Sequence, residues 1–279
     1  MHRLSSSLEA NGKKVSSSML PVFLLLQATS PASVQPLPTL SEVQFAECLD
    51  LARQDAPSAV TDASLWAQQG GGYLALACHG FALANDFKFD LAVPLLVAAA
   101  NGAEERSDPR AARFWAQAGN AAIANDQPAD ALTALDSALK VATVTTEKAD
   151  IEVDRARALV ALNRVDEAVT ALANARQLGP ENGAAWLLSA TLMRRLNRLP
   201  DALTYVQTAA ALLTRDPAVA LEAGNIALAA GDEVAARKQW EQTIAIAPSS
   251  RQAMTAQAQL AQLAQLATVP IPPANAQSR

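Results

Sequence analysis

The sequence predicts an all-α fold, an extended array of stacked helical hairpins, on three observations. Apolar residues fill 51% of its 279 positions, carried mainly by Ala and Leu, while aromatic residues make up only 4%; Ala and Leu lose little conformational freedom in a helix. Strand-length runs of β-branched and aromatic residues are missing. Small residues recur in pairs twelve apart, and the pairs themselves recur along the chain.

Charge narrows the class of partner. With 22 basic against 27 acidic residues the net charge is −5, and no Lys/Arg stripe stands out. A nucleic-acid phosphate backbone is therefore not an expected partner.

Residues 1–32 read as a signal peptide or a disordered leader. Lys13 and Lys14 precede a Ser-rich stretch, an apolar run from Met19 to Leu26, and then Ser30-Pro31-Ala32. That last triplet sets small residues at the −3 and −1 positions of a cleavage after Ala32. The apolar run is too short to span a bilayer, which takes about 20 residues. The segment before Met19 is longer than the charged start of most such signals, which keeps the disordered leader open as the alternative. Residues 33–40 follow as a linker.

The pairs of small residues are Gly80 and Ala92, Gly119 and Ala131, Ala156 and Ala168, Ala190 and Ala202, and Gly224 and Ala236; their first members step by 39, 37, 34 and 34. After four of the second members come a larger residue and then a small one: Leu135 and Ala138, Leu172 and Ala175, Val206 and Ala209, Trp240 and Thr243. Each unit reads as one amphipathic helix, a break, and a second helix. The breaks hold Asn85-Asp86, Asn125-Asp126, Asn163, Asn197 and Gly231-Asp232, residues suited to the left-handed backbone that ends a helix. Paired small residues let the two helices approach closely, and the larger residue fills space towards the next unit. One hairpin cannot bury such a face alone; stacked hairpins can.

These residues resemble the tetratricopeptide repeat family, whose period is about 34. The resemblance is fullest over Pro217 to Pro248, through Gly224, Gly231, Ala236, Trp240, Ile244 and Pro248. Gly183 to Asp216 joins it through Trp186, Ala190, Ala202 and Ala209, and Ala149 to Asn182 through Ala156, Ala168, Ala175 and Pro180. From Ala112 onward the matching residues are Trp115, Gly119, Ala131, Ala138 and Leu139. Ala122, Leu159, Met193 and Ala227 replace the family's mid-helix aromatic. The likeness implies a right-handed superhelical solenoid, with four such repeats over 110–249 and divergent helical repeats over 41–102. Residues 250–267 then read as a capping helix, rich in Gln and Ala, and 268–279 as a disordered Pro-rich tail. The stretches Ala103 to Pro109 and Thr143 to Lys148 read as longer loops between units. More loosely, the chain is similar to small exported repeat proteins of Gram-negative bacteria.

Little in the sequence points to catalysis. His79 follows Cys78 with no second His beyond His2, and no cluster has the spacing of a metal or nucleophile site. Gly70-Gly71-Gly72 lacks the Lys-Ser/Thr of a phosphate loop and reads as a link between helices. No cofactor and no metal is expected. Cys48 and Cys78 fall at similar depths in two successive first helices, so an oxidising compartment would permit a disulfide; two buried free thiols are the alternative.

In the family the first helix of each unit lines the concave face, and its ninth position points into the groove. The resemblance thus implies a partner-binding groove at Asn120, Arg157, Thr191 and Asn225, with Arg194 one turn beyond Thr191. Asn offers a peptide both donor and acceptor, and Arg a two-pronged hold on a carboxylate. Ala116 and Leu187 stand where a family clamp would carry Lys, and Leu187, Leu221 and Leu228 suit an apolar partner helix instead. The expected function is a non-enzymatic scaffold that binds a protein or peptide, in the periplasm or secreted. The alternatives are a structural or self-assembling part of an envelope complex and a cytoplasmic adaptor. Membrane association is expected only if the leader is uncleaved.

Overall fold

The structure is a computed structural model and describes residues 39–268. The leader over 1–32, most of the 33–40 linker and the tail from 269 lie outside the described residues. Thirteen α-helices and no strand occur among the described residues. They pair into six antiparallel hairpins: α1 (Leu40–Gln54) with α2 (Ala56–Gln68), α3 (Gly72–Asn85) with α4 (Phe89–Glu105), and α5 (Ala111–Ala124) with α6 (Pro128–Val141). The remaining pairs are α7 (Thr145–Ala161) with α8 (Val165–Leu178), α9 (Gly183–Arg195) with α10 (Leu199–Leu212), and α11 (Pro217–Ala229) with α12 (Glu233–Ile246); α13 (Arg251–Thr268) closes the array.

Each hairpin is fixed by the small residue of its first helix. A Cβ built on Gly119 would lie 2.6 Å from Cγ of Leu135, and one on Gly80 2.7 Å from Cγ of Leu96. Gly224 meets the indole of Trp240 in the same way. The large residue therefore packs within its own hairpin, on the small residue opposite, whereas the sequence suggested that it reaches towards the next unit. Ala92, Ala131, Ala168, Ala202 and Ala236 are all fully buried, so the helices touch almost backbone to backbone.

The turns repeat as well. Phe87, Asp126, Asn163, Asn197 and Gly231 adopt positive φ, between 56° and 84°. In each turn the next amide bonds back to the helix, as in Gln127 N to Ala122 O at 2.9 Å and Arg164 N to Leu159 O at 2.8 Å. This double closure satisfies carbonyls that a helix end leaves orphaned. At two turns the strained residue is one or two positions beyond where the Asn suggested, at Asp126 and Phe87. The expected inter-unit loops are shorter than anticipated: Ala103–Glu105 continue α4, and Thr145–Lys148 form the first turn of α7.

First helices contact one another along the whole array, α1 with α3 and so on to α11 with α13, whereas second helices pack mainly on the flanking first helices. The first helices therefore line the inner, concave side. Cys48 of α1 and Cys78 of α3 form a disulfide with Cα atoms 6.2 Å apart, inside the usual span. Closing a loop of that length contributes about 3–4 kcal/mol in the chain-entropy account. The bond staples the first hairpin, whose own buried residues are few, to the second.

Gly119→Ala is expected to destabilise despite the better helix propensity of Ala, which offers only about 1 kcal/mol. Overpacking against Leu135 costs about 1–3 kcal/mol. A lower urea midpoint, followed by tryptophan fluorescence, would show it; a raised midpoint would mean the hairpin can open by a few tenths of an ångström without penalty.

Candidate functional site

The inner face presents the five groove residues on successive first helices: Asn120 on α5, Arg157 on α7, Thr191 and Arg194 on α9, and Asn225 on α11. The structure joins four of them into two internal networks. Asp154, one turn before Arg157, is buried, and Nη1 of Arg157 donates to its carboxylate at 2.5 Å. Burial pushes the Asp154 carboxyl up, while Arg157 and the Asn120 side chain pull the other way. In the second network Nε of Arg194 donates to Oε1 of Glu222 at 2.6 Å, and Nη2 to Oε2 at 3.3 Å. Asn225 donates to the same carboxylate at 3.4 Å and accepts from Nε1 of Trp240 at 3.2 Å. The Thr191 hydroxyl donates to the Leu187 carbonyl of its own helix.

Arg194 thus spends its fork on Glu222, and Arg157 is neutralised by Asp154. A partner carboxylate would meet the remaining N–H groups rather than an open two-pronged clamp. Sequence reasoning missed both acids. Glu222 had a signal, as the only charged residue of α11, three positions before Asn225 and so on its helix face.

Between α7 and α9, Arg157 and Thr191 line one depression of about 160 Å³ with Val160, Leu188, Leu192 and Arg195. Towards the N-terminus the inner face changes character. There Phe45 of α1, Phe81 of α3 and Phe114 of α5 turn onto one small apolar pocket of about 40 Å³. Beside it the Tyr73 hydroxyl donates to Asp108 at 2.6 Å, and Arg110 donates to Asp108 at 2.5 Å and reaches Glu42 at 3.8 Å.

No group of acidic, His or Cys residues among those described could hold a metal ion. His79 is half-buried, and burial pushes its pKa down. Every buried side-chain polar atom among the described residues has a hydrogen-bond partner.

Stacked antiparallel helical hairpins with a polar-lined inner face define a helical-repeat solenoid of the kind that carries protein-interaction surfaces. The sequence profile of the tetratricopeptide repeat matches residues 153–220 and 194–251, so that stretch of the chain carries tetratricopeptide repeats. No curated protein matches it in sequence. Among solved structures it is similar to PilW, described as a widely conserved type IV pilus biogenesis factor. That likeness has a TM-score of 0.65 and 18% identity, over 78% of this chain and 99% of that one. The pilF protein of Pseudomonas aeruginosa is similar at a TM-score of 0.60 and 16% identity, over 78% of this chain and 99% of that one. BtubC (BKLC) from P. vanneervenii is similar at 0.55 and 16% identity, over 87% and 98%. At these identities the likeness is one of fold.

Asp108 gives this face a pH signature. The Arg110 guanidinium, with help from the Tyr73 hydroxyl, holds its carboxyl well down, at about 2 against an ordinary 3.8. A carboxyl lowered on folding stabilises fully above its unfolded pKa, and the gain disappears as pH falls through the folded value. Wild type should exceed Asp108→Asn by about 2 kcal/mol at pH 6, with the difference closing towards pH 2 in urea melts at each pH. A gap that stays constant with pH would contradict this assignment.

Proposed function

We propose that this chain is a non-enzymatic scaffold that holds a peptide or protein partner along its concave face, in the periplasm or another oxidising compartment. The observation that carries the reading is the depression between α7 and α9. It offers apolar walls from Val160, Leu188 and Leu192, with Arg157, Thr191 and Arg195 at its edge, the mixture of apolar floor and polar margin that peptide grooves use. Asn120 and Asn225 extend the polar lining to either side, and Arg194 adds partly engaged donors. The disulfide and the apolar run before Ala32 support export, since structural disulfides persist where thiols are not kept reduced.

Two experiments test the reading. A photo-crosslinker at position 191, in the groove, is expected to give adducts with a protein of the native cell envelope, and one at the half-buried Thr208 of α10 is not. Replacing Arg157 and Asn225 by Ala should cut the groove adduct about tenfold, roughly 1.4 kcal/mol, with the far-ultraviolet helix signal kept. Adducts confined to position 208 would move the binding surface to the outer face. Mass spectrometry of the protein from its native host should find Ser33 as first residue and both cysteines closed to alkylation. Intact residues before Ser33 with alkylated Cys48 and Cys78 would reject export.

A further inference from the structure

The inner face carries a second kind of site at its N-terminal end, where the first three hairpins meet. Phe45 and Leu49 of α1, Ala77 and Phe81 of α3, Leu96 of α4 and Phe114 of α5 enclose the pocket of about 40 Å³. The Phe45 and Phe114 rings stand edge to face with centroids 5.9 Å apart. The volume decides what could enter. It is roughly three times what one water requires, room for one side chain and far too little for a helix. An apolar hollow of this kind binds water poorly and gains by taking an apolar group.

The charges at the rim are unequal. Arg110 is committed: its guanidinium is bound to Asp108, lies 3.8 Å from Glu42, and stacks over the Phe45 ring at 5.9 Å. Arg113, one turn further along α5 and also lining the pocket, is exposed. Among the described residues it has no ion pair or hydrogen bond, unlike Arg157 and Arg194 on the same face. The wall between α1 and α3 is also fixed covalently. Cys48 lies three residues after Phe45 and Cys78 three before Phe81, each pair on one helix face, so the disulfide sets the spacing of the two rings.

From this juxtaposition, and resting on the groove reading above, we propose that the Phe45–Phe81–Phe114 pocket takes one bulky apolar side chain of an extended partner peptide. An acidic residue next to that side chain pairs with Arg113. The partner is thus a segment of the form aromatic or leucine beside Asp or Glu, anchored here and running on along the inner face. The basic alternative is disfavoured because the one uncommitted charge at the rim is positive.

The test uses the full chain with its disulfide intact. A random displayed-peptide library panned on it should enrich an apolar–acidic pair, and a synthetic peptide with Phe-Asp should bind more tightly than its Ala-Asp and Phe-Lys counterparts. Arg113→Glu breaks no ion pair or hydrogen bond among the described residues and should fold as wild type by circular dichroism. It is expected to weaken the Phe-Asp peptide by about threefold or more, the scale of an exposed pair, and to favour Phe-Lys instead. The proposal is overturned if Phe-Asp and Ala-Asp bind equally, or if Arg113→Glu leaves the preference unchanged. Peptides lost on Arg157→Ala and Asn225→Ala but indifferent to Arg113→Glu would keep the groove and remove this pocket. A library that yields no binder removes both.

Discussion

Two helices can lie almost backbone to backbone only where one of them offers no side chain, and the whole array depends on that constraint. Gly80, Gly119 and Gly224 each face a larger residue sixteen positions on, Leu96, Leu135 and Trp240, and the same spacing pairs Ala156 with Leu172 and Ala190 with Val206 in the sequence. All five partners are nearly or fully buried, with Trp240 the largest. Repetition of this pairing gives the five hairpins from α3 to α12 a common build. Stacking then proceeds by nearest-neighbour contact alone. Gly stands at three of the five positions, where a Cβ would collide with Leu96, Leu135 or the Trp240 indole.

The same regularity explains what could be read in the sequence. Small residues at fixed spacing report backbone approach, which no other residue type can provide, so the hairpins and their register are legible from Gly80 to Thr243. Helix ends were legible only to within a residue or two. Asn is a good left-handed residue, yet Asn125 leaves that conformation to Asp126, and in the second hairpin Phe87 takes it at φ 59°. A bulky residue there is uncommon, so no propensity argument would select it. The supposed loops at 103–109 and 143–148 became partly helical because longer connections carry Ala, Glu and Lys, which extend a helix where nothing stops it.

The groove was legible as a set of positions and not as a set of free groups. The family pattern says which residues face inward; it does not say what those residues hold when no ligand is bound. Asp154 and Glu222 are inward-facing acids, and burying either without a counter-charge would be costly. Arg157 and Arg194 offset part of that cost. The polar lining of the C-terminal half is therefore part of the fold's own electrostatics before it is part of any interface. Replacing one member leaves the other exposed to burial unpaired, so stability and recognition are coupled at these positions.

That coupling bears on how the two halves of the inner face could contribute to binding. In the C-terminal half a partner's carboxylate competes with an existing one held at 2.6 Å by Arg194, so the net gain is a difference between two similar pairs. Apolar contact in the depression between α7 and α9 has no such competitor, because it replaces only water. At the N-terminal end Phe45 and Phe114 are already buried and ordered, and the disulfide has fixed α1 against α3, so little side-chain freedom remains to be lost on association. An array of this construction would gain its affinity from apolar anchoring and use its charges mainly to discriminate. The regular hairpins supply length and curvature, and the irregular first pair, the least like its neighbours in sequence, supplies the preorganised hold.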